Sequence, residues 1–408
     1  MKTNKKKKGF TLVELLVVIA IIAILATVSI VGYTSFINKA NTSADQQAIT
    51  QINTALYAEG VSNKPENIRE VQNLLDACQL DIDGYKPLAK DTFFFWDKSQ
   101  NIVVYTDKNY TVTYPENYVA DAEGKADWFS LSGEIREEAY TGKISDGTVT
   151  VANAEQLFKV AQDYEGKDAL VVNIPKNTTI NMMGASLAFD SVSTGLTLVG
   201  ENTVIENVAQ TEVSIQATNA AGNLQAYGGG LVANVPKNVT VDIVFEGITL
   251  KDCIFGNSES STVGAFVGKA NDSKANITLT NCHVINCTII ADYRAGAFIG
   301  MAHENSTVTF TDCSVEDVTV ITERGWGGLL MGLKLGTDAT KVVGAQNVTL
   351  KGTNKVVYNG NGVEGLYNAY KADGSIYYGE DGIATDALYF QYQLIDGIGY
   401  HKKVTKTN

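Results

Sequence analysis

Between Phe10 and Gly32 the chain is apolar at almost every position, and Glu14 is the one charge in the run. Coiled as an α-helix, that stretch is roughly 34 Å long, enough to span a bilayer. Lys2, Lys5, Lys6, Lys7 and Lys8 precede it. A basic flank of this kind stays on the cytoplasmic side, so the body of the chain is expected outside. After Gly32 the apolar positions narrow to one face. Phe36, Ile37, Ala40, Ala44, Ala48, Ile49, Ile52, Ala55 and Leu56 recur at three- and four-residue steps, which predicts that the same helix continues to a stop at Gly60.

A second amphipathic helix is predicted from about Pro65–Glu66, with Ile68, Val71, Leu74, Leu75 and Cys78 on its apolar face. Cys78 is therefore expected in a core. Strands are predicted over 93–97, 102–107 and 110–115, with turns at Lys98–Asn101 and Lys108–Asn109. Residues 120–145 keep no period and read as a connecting segment, in which Trp128, Phe129 and Leu131 are expected to pack on a flanking domain.

The pattern then repeats. GLVANV at Gly230, GAFVGKA at Gly264, GAFIGMA at Gly296 and GLLMGLK at Gly328 follow one another at steps of 34, 32 and 32 residues. A second series runs in phase with the first: residues 241–255, 277–290 and 308–321 align without gaps, with NVTLKG at 347–352 as a truncated copy. Ile248, Cys282 and Cys313 share one column, Cys253, Cys287 and Val318 another, Phe266, Phe298 and Leu330 a third. Columns of like apolar residues predict an all-β parallel β-helix whose coils stack on one another. Asn, Asp and Gly are expected at its turns, with Gly268, Gly300 and Gly332 where the backbone bends.

Composition narrows the function classes. The chain of 408 residues carries 32 basic and 45 acidic groups. Without the five Lys that precede the apolar run, 27 basic groups stand against 45 acidic ones, a net of −18. Such a body repels phosphate backbones, so no nucleic-acid partner is expected. The five Cys contain no CxxC pair, and His303-Glu304 is not followed by a second His four residues on. No metal site, cofactor or catalytic residue is expected. Cys253, Cys282, Cys287 and Cys313 read as core. Asn177, Asn238, Asn276, Asn286, Asn305 and Asn347 each begin an N-x-[ST] triplet, read as a turn Asn ahead of a strand.

A lone carboxylate within a membrane costs on the order of 2–3 kcal/mol and calls for a partner. A free amine at Phe10, made by a cut after Gly9, would supply it from a neighbouring subunit. The Lys-rich leader, Gly9, Phe10, Thr11, Leu12, Glu14 and the Ile/Val/Leu run resemble the type IV pilin and pseudopilin family. The resemblance implies cleavage between Gly9 and Phe10 by prepilin peptidase, N-methylation of Phe10, and packing with other pilin subunits through Glu14 and the helix. A secretory signal peptide would instead be cut after its apolar region. The stretch 45–115 is similar to short pilin heads.

GAFVGKA with ITLTNCHV, and GAFIGMA with VTFTDCSV, resemble GLUG-type repeats of bacterial surface adhesins. VANAEQLFKVAQ (151–162) and LVVNIPKNTTI (170–180) are similar to the cap that precedes such repeats. The expected organisation is a leader at 1–9, a transmembrane and filament-core helix at 10–32, a small α+β pilin-like head at 33–120 and a linker at 121–145. A β-solenoid with its cap follows at 146–358, then a C-terminal cap or tail at 359–408. The expected function is a minor or tip filament subunit that displays the solenoid for adhesion to a surface glycan or protein. Its setting would be the cell membrane before assembly and an extracellular pilus afterwards.

One column invites a ligand. Asp292, Tyr293 and Arg294 lie just before Gly296, and Glu323, Arg324 and Trp326 just before Gly328. Tyr293, Arg294, Arg324 and Trp326 would suit sugar or peptide contacts if stacking brought them together; the competing reading is a solvated loop. Two other roles stand beside adhesion: a structural pseudopilin of a secretion or DNA-uptake system, and a filament-displayed polysaccharide-active enzyme. Enzymes on such a scaffold need clustered carboxylates in a groove, and here the acidic residues are scattered.

Overall fold

The computed structural model describes residues 12–358 apart from 61–63, 81–82, 121–126, 212–214, 219–223, 228, 271–273, 304, 324–325 and 336–342; beyond 358 it describes the short strands 369–370, 376–377, 383–384, 389–392, 394–395 and 398–399. Side chains are described neither for Glu14 nor for residues 24–32.

Helix α1 runs unbroken from Leu12 to Gly60. Among the described residues no helix is long and apolar enough to cross a membrane; the apolar run is described only in part at the side-chain level. Helix α2 spans Ile68–Ala77. It starts at Ile68 because the Asn67 side chain accepts from the Glu70 amide at 3.1 Å while the Glu70 carboxylate accepts from the Glu66 amide at 2.8 Å. This reciprocal arrangement satisfies donors that the first turn leaves open. Cys78 is exposed rather than in the core. The helix ends one residue earlier, so the apolar period carries Cys78 into the closing turn.

The head sheet has the order β3 (Val112–Tyr114), β2 (Ile102–Asp107), β1 (Thr92–Asp97), β4 (Trp128–Ser130), all antiparallel. Strand β4 comes from the stretch expected to be a linker. It pairs Phe95 with Ser130 and Asp97 with Trp128. Both faces of this sheet are buried. Phe94, Trp96, Val103 and Tyr105 pack on Ile49, Ile52 and Leu56 of α1 and on Ile68, Val71 and Leu75 of α2. Phe95, Val104, Tyr110 and Trp128 point the other way, into a core they share with Val149, Leu157 and Phe158. That double burial is why residues 93–96 read FFFW rather than alternating with polar residues. Asp45, 2 % exposed on α1, anchors the loop into β1 by accepting from the amides of Leu88 and Ala89 at 2.8 and 3.0 Å.

Beyond the head, helix α3 (Ala154–Asp163) is capped by Asn153, which accepts from the Gln156 amide at 2.9 Å. Parallel sheets follow, to which successive repeats contribute equivalent strands. The longest joins Leu196–Glu206, Thr240–Lys251, Lys274–Thr280, Thr307–Thr311 and Val343–Gln346. In it Ile277 pairs with Ile243 on one side and Val308 on the other, the register of the gap-free sequence alignment. A second sheet contains Ile254–Phe255, Thr288–Ala291, Thr319–Thr322 and Lys355–Tyr358. A third joins Thr262–Gly264, Arg294–Gly296 and Trp326–Gly328. A fourth includes Val267–Ala270, Ile299–Ala302 and Met331–Leu335, and Tyr389–Tyr392 of the C-terminal region pairs with its last member.

Between these sheets Phe245, Phe266, Phe298 and Phe310 form a buried aromatic row with successive centroids 4.9, 5.5 and 5.4 Å apart. Gly268, Gly300 and Gly332 lie within strands of the fourth sheet and not at bends. Their role is close packing. A Cβ on Gly300 would stand 2.5 Å from the Gly268 carbonyl oxygen and 2.7 Å from that of Val263 in the third sheet. Left-handed residues mark the turns: Asp252, Asn281, Asn286, Asp312, Asp317 and Asn347 all have φ between 49° and 55°. Short polar side chains tolerate that conformation. Asn177, Asn238, Asn286 and Asn347 of the N-x-[ST] triplets are left-handed in this way, whereas Asn276 lies inside a strand.

Candidate functional site

Three places bear on function: the N-terminal segment, the corner around Tyr293, and a cleft between head and repeats. Gly9 and Phe10 lie outside the described residues. Glu14 lies on α1, which runs from the apolar segment into the head without a break.

At the corner, parallel pairing sets Arg294 beside Trp326. The Arg294 guanidinium carbon is 4.4 Å from the Tyr293 ring centroid and 5.4 Å from that of Trp326. The two rings meet edge to face at 4.6 Å. The Trp326 amide donates to the Tyr293 carbonyl at 2.7 Å. Trp326 is only 5 % exposed, so its indole is occupied by cation–π and edge contacts within the corner. Arg324 lies outside the described residues. Asp292 and Glu323 are half-buried, and Glu323 faces a different place, the cleft.

The cleft has a volume of about 500 Å³. Helix α2 supplies one wall with Arg69, Gln72, Asn73 and Asp76, backed by Tyr85. The outer face of the second sheet supplies the floor with Ile290 and Ile321, which pair directly. Glu259 and Glu323 stand on the rim. The Arg69 guanidinium crosses from the head and donates to the Gly256 carbonyl. Burial lowers its pKa to about 10. Asp76 accepts from the Tyr85 hydroxyl, and Gln72 donates to the Leu131 carbonyl at 2.9 Å. Apart from Glu323, none of these residues was singled out in the sequence. They come from segments far apart, and no local spacing announces them.

The repeat-region cysteines are buried free thiols. Cys282, Cys287 and Cys313 each donate to a carbonyl of the preceding repeat, at 3.4, 3.5 and 3.4 Å. Burial pushes the Cys282 thiol up to about 12 and raises those of Cys253 and Cys313. Among the described residues no group of three or more His, Cys, Asp or Glu side chains could hold a metal.

Residues 4–30 match the family model described as the prokaryotic N-terminal methylation motif. The match supports a type IV pilin-like or pseudopilin-type N-terminus, with the processing by prepilin peptidase and the assembly with other pilin subunits that this motif implies. No curated protein and no solved structure matches the chain.

Proposed function

We propose that this chain is a minor or tip subunit of a type IV pilin-like filament, and that it displays a GLUG-like parallel β-solenoid for surface adhesion or ligand binding. Cleavage after Gly9 would free the Phe10 amine, and Glu14 of a neighbouring subunit would meet it in the filament core. Before assembly the apolar helix would hold the subunit in the membrane with its body outside. The in-register parallel pairing from repeat to repeat supports the solenoid reading. The observation that carries the proposal is mechanical. Helix α1 joins the methylation motif to the head, and the head sheet shares a core with the repeat region. Force or orientation imposed on the helix therefore reaches the displayed module through packed side chains rather than through a tether.

The test is mass spectrometry of the native N-terminus beside a Gly9→Leu variant. A mature chain beginning at methylated Phe10, with the variant left uncut, is the expected result. An intact leader, or a cut beyond the apolar run, removes the filament reading. Immunogold labelling of purified filaments then separates the positions: label at tips or at sparse intervals fits a tip or minor subunit, and continuous label makes it the major one. Loss of surface attachment in cells lacking the subunit, with filaments still present, is the result expected of an adhesin.

A further inference from the structure

The cleft between α2 and the second sheet combines three properties of a ligand site. Its volume of about 500 Å³ lies within the roughly 300–1,000 Å³ of small-molecule sites. Its floor carries an apolar pair, because Ile290 and Ile321 occupy paired positions of successive strands. Inward-facing neighbours such as Ile289 and Val320 are fully buried, so the alternation of the strand turns these two isoleucines outward. Around that pair stand groups that donate and accept hydrogen bonds: Asn73, Asp76 and Glu259 are exposed, and Glu323 is half-buried.

An apolar floor with a polar rim matches a pyranose ring, which presents C–H groups on its face and hydroxyls at its edge. The rim also has a sign. Among the described residues that line it, Asp76, Glu259 and Glu323 contribute three carboxylates against one guanidinium. That guanidinium is turned to the Gly256 carbonyl, where it fastens head to repeats. An anionic sugar would meet repulsion on this rim, and a cationic one would be drawn to it.

We propose that this cleft is a saccharide-binding site that prefers an amino sugar, of about two rings, over its neutral and acidic counterparts. The inference rests on the ligand-binding reading above and gives that ligand a chemistry and a place. It moves the contact away from the corner, where Trp326 is buried, to the neighbouring surface on which Glu323 lies. Because two domains build the walls, the site exists only while the head is docked.

The test uses the full chain in detergent micelles at low ionic strength, where surface charge is least screened. Three β-1,4 disaccharides are titrated by calorimetry: the free diamine of glucosamine, its N,N′-diacetyl form, and a uronic-acid disaccharide. The diamine is expected to bind at least about tenfold tighter than the diacetyl form, a difference of about 1.4 kcal/mol, and the diuronate is expected not to bind. Asp76→Asn with Glu259→Gln should erase the preference for the diamine while leaving the weaker neutral binding in place. Ile321→Trp should fill the floor and abolish both. If that variant fails to fold, the double carboxylate variant decides alone, since both of its positions are exposed. Equal or tighter binding of the diuronate overturns the proposal. So does binding of none of the three, or a preference unchanged in the double variant. None of these readouts depends on cleavage at Gly9 or on filaments, so the display reading stands or falls separately.

Discussion

A Cβ placed on Gly264 would stand 2.4 Å from the backbone nitrogen of Gly300, one repeat further along the chain. The third and fourth sheets are thus pressed together through bare backbone, and Gly296 repeats the contact 2.6 Å from the nitrogen of Gly332. The glycines that open and close each GAFxG unit serve that contact. Neither of the two partners in a pair can yield, because the atoms met are main chain and not the end of a flexible side chain.

Gly264→Ala or Gly300→Ala should therefore destabilise the repeat region by about 3 kcal/mol, the upper end of ordinary overpacking. Gly344→Ala is the control, since a Cβ there meets only Thr309 side-chain atoms at 3.7 and 3.9 Å. Urea unfolding followed by circular dichroism reads the difference. A Gly300→Ala midpoint equal to that of Gly344→Ala would contradict the close-packing account.

Asn286 donates from its side chain to the Asp252 carboxylate at 2.6 Å, and Asn347 does the same to Asp312 at 2.9 Å. Asp and Asn thus alternate up the stack, which spares it a column of like charges. Asn286→Asp keeps the left-handed turn but sets two carboxylates side by side, at a cost of up to about 1 kcal/mol. That repulsion exists only while both groups are ionised. The penalty is then present above the unfolded carboxyl range near pH 4 and disappears below it. Denaturation at pH 7 and at pH 3 should show a gap from the parent at the first and none at the second.

Trp128 stacks on Phe95 with centroids 5.5 Å apart and is 2 % exposed at the seam between head and repeats. Trp128→Ala should cost about 3–5 kcal/mol at that seam. Limited proteolysis should then release the repeat region intact, faster than from the parent. Cleavage at an unchanged rate would mean that the shared core does not hold the two parts together.

The thiols divide by environment. Cys78 is exposed, and the other four are buried. Only the thiolate reacts, and burial raises the Cys253, Cys282 and Cys313 thiols above their ordinary range. Iodoacetamide at pH 8 should label Cys78 alone in the native chain and all five cysteines once it is unfolded in denaturant. Rapid native labelling of Cys282 would show that the repeat core opens.

The extent of α1 to Gly60 and the phase of Ile243, Ile277 and Val308 could be read from periodicity alone. The stretch around Trp128 could not, because it has no period of its own and becomes a strand only against Phe95–Asp97. Cys78 continues the apolar stripe yet lies exposed, because such a stripe does not say where the last turn closes. Tyr293, Arg294 and Trp326 do meet, yet the direction of the indole depends on how the third sheet sits against its neighbours.

The sequence by itself determined what depends on adjacent residues or on exact repetition: the methylation motif with its basic flank, the amphipathic helix, the repeat length, and the Asp and Asn turns. Each follows from local backbone preference or from like residues returning at a constant interval. Only the tertiary structure decided that the head sheet is buried on both faces, that glycines press one sheet to the next, and that Arg69 reaches Gly256, 187 residues away, across a cleft. Those contacts join segments with no shared pattern, and their geometry is set by how whole elements pack.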